Sequence, residues 1–141
     1  MLNYAIKPIE DTVGYMATCR DLPEFASAGD TIEDLIQHSV EALLVALDIY
    51  INEGIPIPLP SKIEQNEQLI RLSGMIFAKV YLHNSLLQSN ISKSEFKKRL
   101  NISDEDLQQL FNITYNTKWE QLERAFDIIG KKLSISVSDK N

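Results

Sequence analysis

The first thirty residues alternate with a period of two. Leu2, Tyr4 and Ile6 are separated by polar or small residues, as are Val13, Tyr15, Ala17 and Cys19. Each run predicts a strand with one buried face. Glu10 to Thr12 form the turn between them, and Asp21-Leu22-Pro23 ends the second run. Phe25 to Ala28 is a candidate third strand before Gly29-Asp30. Consecutive strands joined by short turns make an antiparallel meander. The period then changes. Ile32, Leu35, Ile36, Val40, Leu43, Leu44, Leu47 and Ile51 recur at spacings of three and four, the apolar face of one long helix. Thr31 with Asp34 marks its start as a capping box, and Gly54 followed by prolines 56, 58 and 60 marks its end.

Ile55 to Ser61 must be extended because of its prolines, and the polar stretch Lys62 to Gln68 reads as a linker. Leu69 to Leu72 is a candidate strand. Short helices follow, each with a start signal: Ser73, then Ser92 with Glu95, Ser103 with Asp106, and Thr117 with Glu120. Gly130 closes the last. Leu133 to Val137 alternates again and predicts a terminal strand, with a polar tail after it. The expected organisation is an α+β chain: a module at 1–65, a linker at 66–72, a helical module at 73–137 and a tail at 138–141.

Charge supports two modules. The net charge of −6 divides unevenly, with three basic against eleven acidic residues in 1–65 and eleven against nine in 66–141. Such asymmetry suggests halves with different partners. Asp34, Glu41 and Asp48 recur every seven residues along one outward stripe, either a solvated face or a docking stripe for a basic partner. Cys19 is the single cysteine, which excludes an internal disulfide and a cysteine-based zinc site. The longest uninterrupted apolar run, Ala42 to Leu47, is too short to cross a bilayer. The N-terminus lacks the basic and apolar regions of a secretory signal, so the expectation is a cytoplasmic protein with no membrane association.

Catalytic chemistry is sparse. His38 and His83 both fall inside predicted helices, without metal-ligand spacing, and no phosphate-binding or nucleophile-elbow motif occurs. A metal nuclease built on Asp11, Asp21, Asp30 or Asp48 is conceivable, but turns, a cap and a helix surface account for each of them. No enzyme activity, cofactor or metal is expected. More specific is Ser92 to Asn116: a capped helix, the short turn Asn101-Ile102-Ser103, then a second capped helix, which is the spacing of a helix-turn-helix. The first helix carries Lys93, Lys97, Lys98 and Arg99, and Lys118 precedes the last helix. In such a motif Lys93, Lys97, Lys98 and Lys118 would contact phosphates, with Ser103 at the cap of the reading helix. Gln108, Gln109 and Asn112 would read bases. The acidic opening Asp104-Glu105-Asp106 suits the helix dipole but would repel phosphates.

Residues 1–61 resemble the HicB antitoxin family through Gly14-Tyr15, Asp21-Leu22-Pro23, Gly29-Asp30-Thr31, Glu41-Ala42-Leu43 and the run Gly54-Ile55-Pro56-Ile57-Pro58-Leu59-Pro60-Ser61. Residues 73–137 resemble the helix-turn-helix type of its C-terminal domain through Lys79-Val80, Leu86-Leu87-Gln88-Ser89, Leu110-Phe111-Asn112, Thr117-Lys118 and Gly130 to Ser134. The resemblance implies a partial RNase H-like N-terminal domain that inhibits the HicA toxin, a small mRNA-cleaving ribonuclease. It also implies an Xre/Cro-like C-terminal domain that binds operator DNA and represses the operon. Tyr15, Asp21, Glu24 and Phe25, near the strand ends, are candidate toxin contacts, or else core and turn residues. A homodimer or higher homo-oligomer through Leu133 to Val137 would suit a palindromic operator. The alternative reading is a free-standing transcriptional regulator whose N-terminal domain senses a ligand or dimerises.

Overall fold

The computed structural model describes residues 2–140. Strands β1 (Asn3–Glu10), β2 (Tyr15–Cys19) and β3 (Ser27–Gly29) form the meander, and helix α1 (Ile32–Glu53) follows. Strand β4 (Gln68–Arg71) comes next, then helices α2 (Gly74–Gln88), α3 (Lys93–Leu100), α4 (Asp104–Phe111) and α5 (Trp119–Ile128). The sheet has the order β3-β2-β1-β4, all neighbours antiparallel. This is the mixed α+β architecture that the two periodicities call for. The third strand lies two residues later than its predicted start, because Phe25 points into the core and its N–H donates to the Leu22 carbonyl in a turn.

Directly opposed residues of an antiparallel pair share a face. One face of β1 and β2 carries Tyr4, Ile6, Ala17 and Cys19, all buried. The opposite face leaves Met16, Ile9 and Leu69 exposed. Leu35, Leu43 and Leu47 of α1 are fully buried, each contributing about 1.5–3 kcal/mol by leaving water. Helix and sheet approach closely at Gly29, where an added Cβ would lie 2.5 Å from the Leu35 amide nitrogen. At the β1–β2 turn, Gly14 adopts φ +78° and a Cβ there would lie 2.5 Å from the Gly29 carbonyl oxygen. Both sites therefore require glycine.

The candidate strand at Leu69 to Leu72 is present as β4, one residue earlier, inside the stretch read as a linker. Gln68 to Ile70 pair with Ile6, Ala5 and Tyr4 in register, and Leu72 N–H donates to the Leu2 carbonyl. The preceding proline segment is also fastened, by side chains from both halves of the chain. Asn84 of α2 accepts from Ile57 N–H at 2.8 Å and donates to the Ile57 carbonyl at 3.0 Å. His83 Nε2–H donates to the Ile55 carbonyl at 2.7 Å, and the Tyr4 hydroxyl donates to the Pro58 carbonyl at 2.6 Å. Asp21 accepts from Ser61 N–H and Oγ–H. Arg20 grips Glu67 with two donors, at 2.6 and 2.8 Å, and also reaches Ser61 Oγ and the Lys62 carbonyl. The guanidinium holds the Glu67 carboxyl down at about 2. The buried residues form one continuous core running from Leu2 to Phe126.

The C-terminal helices begin and end largely where their caps predict. Ser73, Ser92 and Ser103 hydroxyls accept from the amides three residues on. Asn101 takes the left-handed conformation, φ 55° and ψ 52°. The last cap differs from expectation: Lys118 occupies the N-cap position without a side-chain bond, while buried Thr117 directs its hydroxyl to the Gln109 carbonyl. The predicted terminal strand at Leu133 to Val137 is absent as well. The segment takes no strand pairing along the outer edge of β4, and Ile135 is 65% and Val137 96% exposed.

Burial pushes the His83 imidazole below its ordinary 6.5; the bond to Ile55 opposes this and the Lys93 charge adds to it. The unfolded chain then binds more protons than the folded one just below that value, so stability falls as the pH drops through 6.5. Urea midpoints measured between pH 7 and 5 should decline in the native chain. His83→Gln, which keeps a donor for Ile55, should flatten that part of the profile.

Candidate functional site

Two surfaces hold the residues singled out by the sequence. The first is the β3 end of the sheet. Tyr15 is half-buried there and lines a cavity of about 290 Å3 with Asp11, Asp30, Asp34 and His38. His38 Nδ1–H donates to the Ala28 carbonyl at 2.8 Å, which fixes the ring against β3. The other three candidate toxin contacts serve the fold. Phe25 is a core residue, 4% exposed, and offers no surface anchor. Asp21 is engaged with Ser61. Glu24, though exposed, accepts from the Tyr50 hydroxyl, and that bond raises the tyrosine to about 12. Tyr15 and Glu24 therefore remain accessible, while Phe25 does not.

The second surface is the capped pair α3–α4. Ser92 and Ser103 start the helices, and Arg124 of α5 donates to the Leu100 carbonyl at 2.9 Å, fastening the end of α3. Phe96 and Phe111 meet in the core with centroids 6.0 Å apart. The cations of α3 are not equally free. Lys97 pairs with Asp104 at 2.8 Å, and Arg99 pairs with Glu95 one turn back. The Lys93 ammonium lies 4.6 Å from the centre of the Phe111 ring, and burial lowers its pKa. Lys98 and Lys118 are exposed and make no ion pair among the described residues.

On α4, Ser103 Oγ is occupied as a cap, and Gln109 is half-buried with its carbonyl accepting from Lys79. The Asn112 side-chain oxygen accepts from both Thr114 N–H and Oγ1–H, so part of its hydrogen-bonding capacity is spent locally. Gln108 is exposed. Gln108, Asn112 and Lys93 share a cleft with Asp48 and Asn52 of α1.

Lys79, noted in the sequence only as part of a family motif, holds this surface in place. Its side chain is fully buried, and its ammonium donates to the carbonyls of Gln109, Asn112 and Tyr115 at 2.9, 2.8 and 2.7 Å. Burial lowers its pKa to about 8, still above neutrality, and each of its three donors meets an acceptor. A cation at a helix C-terminus also opposes the negative end of the dipole. A lysine enclosed in the apolar run Ala78-Lys79-Val80 is the one sequence sign of this role. Among the described residues no group of three or more His, Cys, Asp and Glu side chains could hold a metal ion. No helix among them is long and apolar enough to cross a membrane.

Comparison with known proteins covers both surfaces. The family model described as HicB-like antitoxin of bacterial toxin–antitoxin systems matches residues 3–81, which include the sheet, α1, the proline segment and the first half of α2. Antitoxin HicB of Pseudomonas fluorescens (strain Pf0-1) is 33% identical over 138 residues, spanning 97% of this chain and 94% of that protein. Antitoxin HicB of Escherichia coli (strain K12) is 33% identical over 122 residues, covering 86% and 88% of the two chains. Antitoxin HicB 2 of Photorhabdus laumondii is 29% identical over 134 residues, covering 95% of each. A match over more than half the chain, together with relatives aligned almost end to end, places this chain in the HicB-like antitoxin family of bacterial toxin–antitoxin systems.

Proposed function

We propose that the chain neutralises a HicA-type mRNA-cleaving toxin through its N-terminal half and represses its own operon by binding operator DNA through a helix-turn-helix formed by α3 and α4. The observation that carries the first part is family membership, which implies a toxin partner, joined to the acidic surface around Tyr15. A ribonuclease presents cations to RNA, and carboxylates aimed at those cations steer the encounter and exclude wrong partners. Asp11 and Asp30 are exposed at the mouth of the Tyr15 cavity and carry none of the bonds that fasten the proline segment. By the architecture of its sheet and α1, this half fits a partial RNase H-like domain used for binding rather than catalysis.

Support for the second part is local geometry. Two serine-capped helices are joined by a left-handed asparagine, and the exposed cations Lys98 and Lys118 flank the pair. Phosphate contact falls to these two first, with Lys97 released from Asp104 as DNA approaches. Gln108 is the side chain of α4 best exposed for base reading. The extended, apolar Leu133 to Val137 then pairs with the same segment of a second copy, covering Ile135 and Val137 and producing the two-fold symmetry that a palindromic operator matches.

Each part has its own test. Reversing Asp11 and Asp30 together to lysine should weaken toxin inhibition about tenfold at low ionic strength and less at high salt, in an RNA-cleavage assay. Inhibition that is unchanged at both salts would remove this surface from the interface. Replacing Lys98 and Lys118 with alanine should reduce the slope of log affinity against log salt by about two units on any duplex, and a slope equal to that of the native chain would exclude them as phosphate contacts. A chain ending at Lys132 should be monomeric by light scattering while keeping the native circular dichroism spectrum. A dimer would show that the segment is not the contact.

A further inference from the structure

The acidic stripe of α1 leads from the Tyr15 cavity to an apolar trough between α1, α2 and the loop after α4. Asp34, Glu41 and Asp48 recur at a seven-residue spacing, which drifts only about 20° per step around a helix, so they stay on one face. Asp34 lines the Tyr15 cavity, and Asp48 lines a recess of about 140 Å3 at the other end of the stripe. None of these three carboxylates meets a cation in an ion pair among the described residues. Between Glu41 and Asp48 stands Val45, 65% exposed, whereas every other apolar residue of α1 is buried or half-buried. The recess that Val45 lines runs into a wider one of about 330 Å3, and the two share Leu44, Ile113 and Thr114. Ile113 is buried, Leu44 and Ile76 are half-buried, and Tyr115 is 42% exposed. The trough thus has an apolar floor with a valine and a tyrosine at its rim. Among the described residues no lysine, arginine or histidine lines either recess.

We propose that this trough is a second part of the toxin interface, receiving an apolar ridge flanked by lysine or arginine from the same toxin molecule that meets the Tyr15 surface. It rests on the toxin-inhibition reading above and carries that footprint from the sheet along α1 to α2 and the loop after α4. Charge selects the occupant. Three carboxylates without cations make the stripe a poor seat for a second copy of this chain, whose net charge is −6, and they repel nucleic acid. A protein that cleaves RNA carries the cations that match them. The reach fits as well. Asp34 and Asp48 lie fourteen residues apart, about 21 Å along the helix. A standard interface of about 800 Å2 per partner is roughly 28 Å across, so one small protein spans both ends. Val45 and Tyr115 then act as apolar anchors, and the carboxylates form the polar rim.

The test uses the full chain and the purified HicA-type toxin of its own operon. RNA cleavage is titrated with each variant after thermal melting shows that variant folded. Val45→Ser removes an exposed anchor without changing charge, and should weaken inhibition about five- to tenfold at low and at high salt alike. Glu41→Lys should weaken it by a similar factor at low salt and by less at high salt. Glu123→Lys makes the same charge change at an exposed position of α5 and should inhibit as the native chain does. Undiminished inhibition by Val45→Ser and Glu41→Lys, alongside weaker inhibition by the Asp11 and Asp30 reversal, would overturn the trough and leave the toxin-inhibition reading standing. A native chain that does not inhibit the toxin defeats that reading, and the trough with it. Equal losses in Glu41→Lys and Glu123→Lys would reveal a general effect of charge and overturn the trough too. So would a drop in the mass of the free chain by light scattering on Val45→Ser, because the trough would then be a contact between copies.

Discussion

Where the proline segment, residues 55–62, is buried around Ile57, its backbone is satisfied by side chains, and the joining of the two halves follows from that constraint. Prolines 56, 58 and 60 cannot donate to a sheet ladder, so the segment cannot join β1 or β4 as a regular strand. Its remaining polar groups run between the two halves of the molecule, where an unpaired buried amide or carbonyl costs about 1–3 kcal/mol. Tyr4, Arg20 and Asp21 supply partners from the sheet, and His83 and Asn84 supply them from α2. Each net contribution is modest, about 0.5–1.5 kcal/mol. Together they join the strand module and the helical module at one splice. The continuous core is the packing consequence of that splice, and the cleft between α1 and α4 is its geometric one.

Charge is distributed by use more than by count. The N-terminal half has eleven side-chain carboxylates, but Asp21 and Glu24 are hydrogen-bonded to Ser61 and Tyr50, and Glu67 of the following segment is clamped by Arg20. What remains outward is concentrated near Tyr15 and along the α1 stripe. On the helical side, pairing of Lys97 with Asp104 and of Arg99 with Glu95 lowers the field that α3 presents. The three acids opening α4 complement its N-terminal dipole and so stabilise the helix itself.

What the sequence makes legible is what neighbouring residues decide. The N-caps at Thr31, Ser73, Ser92 and Ser103, the Gly54 terminator, the left-handed Asn101 and the periodicity of α1 are all local, and all are observed. Errors lie where a partner far along the chain decides. The candidate strand at Leu69 to Leu72 forms one residue earlier, as β4, but its pairing with Asn3 to Ile6, more than sixty residues away, has no local sign. Leu133 to Val137 has the right alternation but pairs with neither edge strand of the sheet. An aromatic beside a turn looks the same whether it points in or out, so Phe25 could be taken for a surface anchor. The partners of Arg20, Lys79, His83 and Asn84 lie 27 or more residues away from them, and only Lys79, enclosed in an apolar run, carries a local sign of its role.

Lys79 shows why the helical half needs a charged group in its interior. The residues after α4 turn sharply, and three carbonyls, those of Gln109, Asn112 and Tyr115, converge on the Lys79 ammonium; the first two also accept from the Asn112 and Tyr115 amides. An apolar side chain would fill the space but remove the ammonium donor from all three, leaving the Gln109 and Asn112 carbonyls with their backbone bonds alone. One ammonium satisfies them together, at the expense of desolvating a charge, and the gain is a single defined position for residues 109–115. That stretch carries Gln109 and Asn112, and through Thr114 it forms one edge of the cleft against α1. The width of the cleft is therefore set from α2, by Lys79 on one turn and by His83 and Asn84 on the next. A single helix thus fixes both residues 109–115 and the proline segment that continues from α1.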